Sequence, residues 1–143
     1  MSVDPTFARV ISELGQSLGI AGLAPSGDGM CQFVIDGRHL MQVVHVGARG
    51  QVLLSCRLAD HGIDGRQAER MVRANFLQAG RGVVLCVAPD GRPHMQVGLE
   101  LAGCSAAALC QALEAVLDEA ERWGQDAPGR AGPSDPAMFL QSV

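Results

Sequence analysis

Cys31-Gln32-Phe33-Val34-Ile35-Asp36-Gly37-Arg38-His39-Leu40-Met41 reads as two apolar runs meeting at Asp-Gly. That dipeptide tolerates positive φ at both central positions and is the strongest short hairpin signal. A two-residue turn pairs Phe33 with Leu40 and Val34 with His39. One face then carries Cys31, Phe33, Ile35, Leu40, Val44 and Val46. If three residues of Gly47-Ala48-Arg49-Gly50 form the next loop, Val52, Leu54, Cys56 and Leu58 join that face. Three consecutive strands therefore share one register.

The flanks supply helices. Asp4-Pro5 offers a side-chain cap followed by proline at the first helical position. Phe7, Val10, Ile11, Leu14 and Leu18 follow at 3–4 spacing, and Gly19 is a stop. A second helix is predicted over 66–79, with Asp64 as cap, Gly80 as stop, and an apolar stripe of Ala68, Met71, Val72 and Ala79 interrupted by Asn75. Strands at 83–88 and 94–101 flank Pro89-Asp90-Gly91, with Val87 opposite Met95 and Leu85 opposite Val97. The third helix, 105–123, sets Leu109, Leu113, Val116, Leu117 and Ala120 against Gln111, Glu114, Asp118 and Glu121. The order α-βββ-α-ββ-α predicts an α+β sandwich on a mainly antiparallel sheet. Residues 1–123 form one domain, and the Gly/Pro-rich 124–143 reads as a flexible tail ending in apolar Met138-Phe139-Leu140.

Apolar residues exceed what one core needs. A half-solvated antiparallel sheet alternates apolar and polar, yet Met41 and Val43 lie opposite Leu40 and Val44, and Val84 and Cys86 lie opposite Leu85. At roughly 25 cal/mol per Å², leaving such groups in water forgoes a few kcal/mol. Helices on both faces of a monomer would cover them; so would a twin or a partner chain. Asn75 fits an interface, where one polar group fixes register, and equally fits a helix-end group touching water.

Composition narrows the function. With 143 residues, 48% hydrophobic, 18% charged and net charge −4, the chain is an ordinary globular domain. Its eleven bases are all Arg, and the acidic balance with 3% aromatics argues against nucleic acid. No signal peptide or bilayer-length apolar run is visible, so a soluble, cytosolic protein is expected. Five scattered cysteines fit a reducing compartment. None lies in a nucleophile motif with His39, His45, His61 or His94, and their spacings do not match a zinc site. Gly27-Asp28-Gly29 and the glycines at 47 and 50 lack the context of a phosphate loop. No enzyme, cofactor or metal is expected.

The pattern resembles the class I type III secretion chaperones, the Tir chaperone family, over residues 7–123. The resemblance rests on the opening helix with Leu14-Gly15 and Leu18-Gly19-Ile20, on the first strand ending Ile35-Asp36, and on Met71-Val72-Arg73-Ala74-Asn75-Phe76. The spacings Leu113-Glu114 to Val116 and Ala120-Glu121 to Trp123 look like the family's last helix. It implies a non-enzymatic cytoplasmic homodimer of a Gram-negative bacterium. Such a protein holds the N-terminal region of a secreted effector non-globular and delivers it for export, with the secretion-system ATPase as a further partner. By that resemblance Phe7, Val10, Leu14, Val34, Met41 and Val43 would touch the effector, and Met71, Asn75, Val84, Leu85 and Cys86 would form the dimer interface. A rival reading is a regulatory module of the same fold that sequesters a transcriptional regulator. A small cysteine-dependent enzyme is the third.

Overall fold

The computed structural model of the chain describes residues 3–77 and 82–126. Its elements run α1 (Pro5–Leu18), β1 (Met30–Ile35), β2 (His39–Val46), β3 (Gln51–Arg57), α2 (Gly65–Leu77), β4 (Val83–Val87), β5 (Pro93–Glu100) and α3 (Ala106–Asp126). The predicted order α-βββ-α-ββ-α is the order found. The five strands make one antiparallel sheet in the order β1-β2-β3-β5-β4, so β1 and β4 are its edges. The predicted end of the second helix at Ala79-Gly80 and the segment 127–143 lie outside the described residues. Helix α3 itself runs to Asp126, past the predicted boundary at Trp123.

Local chemistry accounts for the helix ends. The Asp4 carboxylate accepts from the Thr6 and Phe7 N–H groups at 2.8 and 3.0 Å. At the other end Gly19 turns left-handed, and the Ile20 N–H returns to the Gly15 carbonyl at 2.8 Å, a Schellman closure. Gly15 has a packing reason to be glycine, because a Cβ there would stand 2.8 Å from Leu23 Cβ and 2.9 Å from the Ile20 carbonyl. Helix α2 opens with a reciprocal box. The Gln67 N–H donates to Asp64 Oδ1 at 2.9 Å, and the Asp64 N–H donates to Gln67 Oε1 at 3.0 Å.

The hairpin register differs from the predicted one. Asp36 and Gly37 do take positive φ, 55° and 69°, and the Arg38 N–H closes on the Ile35 carbonyl at 3.1 Å. Pairing then resumes at His39, opposite Ile35, so Arg38 is an extra residue in the manner of a bulge. Phe33 therefore faces Met41, not Leu40. The next loop is also one residue longer than assumed, since Val46 pairs with Gln51. The two slips cancel for β1 and β3 but invert β2. Met41 and Val43 lie in the core with Cys31, Phe33, Val52, Leu54 and Cys56, while Leu40 and Val44 are on the far face. Between β4 and β5 the pairing is shifted by two, Leu85 facing Met95, which preserves the predicted faces.

The core lies on one side of the sheet. Phe7, Val10, Ile11 and Leu14 of α1 meet Leu109, Leu113, Val116 and Ala120 of α3 over the buried strand residues. Helix α2 packs at the β4 margin and sends Met71 into the same core.

Candidate functional site

The face of the sheet away from α1 and α3 is the first candidate surface. It presents Val34, Leu40, Val44, Leu53, Val84 and Cys86, interspersed with Gln42, Ser55, His94 and Gln96. Val34 is 51% exposed and Val84 49%; the others are mostly half-buried by their neighbours. Leu53 lies over Gly98, where a Cβ would approach its Cδ2 to 3.3 Å, so the missing side chain opens room for Leu53. A shallow pocket of about 350 Å³ sits beside it, with Val44, Leu53, Ser55, Cys86 and His94 in its walls. This is a largely apolar floor with a few polar groups and with Arg57 and Glu100 towards its ends, the texture of a protein-binding surface.

The second candidate surface is the outer side of α2. Val72 and Phe76, one helical turn apart, are 68% and 82% exposed, whereas Met71 is buried. Asn75, between them in sequence, turns the other way. Its Nδ2 donates to the Leu85 carbonyl at 2.9 Å, and the Leu85 N–H donates to its Oδ1 at 2.7 Å. The side-chain amide thus pairs with the outward-facing backbone of the edge strand β4. Neither sequence-based reading of Asn75 included that bond.

The predicted effector contacts divide sharply. Phe7, Val10, Leu14, Met41 and Val43 are buried in the chain's own core and present no surface to a partner; Val34 alone of that set is accessible. The reasons differ. The α1 residues form the face that α3 covers, while Met41 and Val43 were assigned to the wrong face by the one-residue bulge. Leu40 and Val44 take the place they were given. Of the predicted interface set, Met71 and Leu85 are buried within the chain, and Val84 and Cys86 lie on the far face. Phe76 was not assigned a role, and Val72 was assigned to the core stripe. Their four-residue spacing was the available signal, but a helix of mixed character leaves its buried side ambiguous.

Four of the five thiols are shifted away from the reactive thiolate. Burial raises the thiols of Cys31, Cys56, Cys86 and Cys104, that of Cys56 to about 11, which keeps them protonated at neutral pH. Ser55 Oγ stands 3.2 Å from His94 Nδ1, and burial holds that imidazole below its ordinary value, which favours its neutral form. Among the described residues no three His, Cys, Asp or Glu side chains converge as metal ligands, and no helix is long and apolar enough to cross a membrane.

Comparison with known proteins identifies the architecture. A chain of the ExsC–ExsE complex superposes with a TM-score of 0.79 at 17% identity, over 92% of this chain and 100% of that one. A chain of the HopA1–SchA chaperone–effector complex gives 0.69 at 19% identity, over 82% and 92%. A chain of the complex of the Yersinia pestis type III secretion chaperone SycH with a stable fragment of YscM2 gives 0.65 at 15% identity, over 81% and 98%. At such identities the likeness speaks for the fold, which is that of type III secretion chaperones. The search of curated sequences finds no match. The sequence profile of one family matches residues 9–124, most of the chain, from within the opening helix through the whole sheet to within the last helix. The chain belongs to the Tir chaperone protein (CesT) family.

Proposed function

We propose that this protein is a homodimeric chaperone that holds the N-terminal region of a secreted effector in a non-globular, export-competent state in the cytosol. The observation that carries the reading is the uncovered sheet face, where Val34, Leu40, Val44 and Leu53 line up beside the unpaired outer edge of β1. An extended chain could gain backbone hydrogen bonds at that edge and apolar burial on that face, two gains that replace those of its own core. Ordering such a client is costly, so the contact must be broad rather than a single pocket. Dimerisation through α2 and β4 fits the outward pair Val72 and Phe76.

Co-expression with an effector encoded in the same host tests it. The first ~100 residues of the client should co-purify as a protease-sensitive, non-globular segment. Val44→Glu should abolish co-purification while leaving the thermal unfolding cooperative. Capture of a transcriptional regulator in place of an effector would support the regulatory reading instead. Retention of the effector by Val44→Glu would remove the open face from the proposal.

A further inference from the structure

Helices α2 and α3 leave a cavity of about 460 Å³ between them over β4 and β5. Leu85, Met95, Ala74 and Trp123 form its apolar wall. Arg66, Arg70 and Arg73, spaced to share one side of α2, and Arg122 of α3 supply four guanidinium groups, against the carboxylates of Glu69 and Glu119. Both carboxylates are engaged: Glu69 with Arg73 at 2.8 Å and Glu119 with Arg122 at 3.0 Å. The positive charge left over belongs to Arg66 and Arg70. Arg70 lies over the Trp123 ring, its guanidinium carbon 4.1 Å from the ring centroid. Its Nη1 is buried and donates to no acceptor among the described residues.

The surplus charge, the ordered guanidinium and the apolar wall point to the same chemistry. A guanidinium held over an indole ring is already ordered, so a carboxylate that reaches it gains a charge-assisted bond with little further loss of side-chain freedom. A bare inorganic anion would leave the apolar wall unused. The volume suits a group with an apolar body. In a chain of net charge −4, this cluster also stands out as locally cationic. We infer that the cavity binds an acidic residue flanked by apolar ones, presented by a partner polypeptide, with the carboxylate on Arg70 and Arg66 and its neighbours against Leu85, Met95 and Trp123. This goes beyond the chaperone reading and holds whichever polypeptide carries the segment.

Trp123 is the sole tryptophan, so its emission reports on the cavity directly. The full chain would be titrated with the blocked peptide Ac-Ala-Leu-Glu-Leu-Ala-NH2, with its Gln counterpart, and with inorganic phosphate. The Glu peptide should give a saturable emission shift, and the Gln peptide should bind at least about tenfold more weakly. Arg70→Gln should weaken the Glu peptide by a similar factor. Arg66→Gln, an exposed position that leaves the packing intact, should weaken it less but in the same direction. Equal response to the two peptides, or no saturable shift with either, overturns the inference. So does a shift reproduced by phosphate alone at equal concentration. A shift that tracks protein concentration without peptide would assign the cavity to a second copy of the chain, and would overturn it too.

Discussion

Asn75 is the residue whose role changes most when its partners are seen. Its amide satisfies both backbone groups of Leu85 on the outer edge of β4. Removing it strands a partly buried donor and acceptor at once. Asn75→Ala should therefore cost about 1–3 kcal/mol, read as a lower urea midpoint with an unchanged slope. Two histidines supply a pH dependence. Burial is the largest cause holding His94 and His39 below the ordinary 6.5, so their neutral forms are favoured in the fold. Between the folded and unfolded values the unfolded chain binds more protons. Their contribution is thus present above about 6.5 and is lost as pH falls below it. Urea midpoints should fall from pH 7 to pH 5, and His94→Gln should flatten that slope.

At the scale of elements, the turn at Asp36-Gly37 shows how far local chemistry reads and where it stops. The positive φ at both positions was legible, because few other dipeptides accept it. The bulge at Arg38 was not. Nothing in its own side chain requires an extra residue; what selects it is a core that accepts Met41 and Val43 and a loop of four residues at 47–50. Helix boundaries were legible for the opposite reason: Asp4, Gly19 and Asp64 act within a few residues of themselves. The open sheet face was anticipated as a surplus of apolar groups, but two of its members were misassigned by that single residue. The arginine-lined cavity was hidden because it joins side chains from two helices far apart in sequence. A deletion isolates the point. Removing Arg38 leaves Asp36-Gly37 as a two-residue turn with Ile35 still opposite His39, so Met41 and Val43 keep facing inward. Cooperative unfolding by circular dichroism should therefore survive the deletion, and Arg38→Ala, which loses exposed contacts with Glu121 at 3.2 Å and with His39 Nε2 at 3.3 Å, should stay within about 0.5 kcal/mol of the parent.

For the molecule as a whole, the distribution of exposed apolar groups separates two roles. One set lies on the sheet, the other on the outer side of α2, and they belong to different partners in the proposed assembly. Phe76→Glu should convert a dimer to a monomer in sedimentation equilibrium with little change in the monomer's own stability, since the side chain is 82% exposed. The same variant should lower effector capture only in so far as capture needs two copies. The amide bracket on β4 carries one more implication. A unit that grows into a filament by strand pairing must be adhesive at both ends, so that each arrival leaves a fresh landing place. Here Leu85 is already spoken for by Asn75, while on the β1 border Ser26 takes only the Met30 carbonyl and the stretch at Gln32 and Val34 has no strand partner on its outer side among the described residues. In the proposed assembly that asymmetry keeps a place for a guest strand without offering further copies of the chain an endless stack.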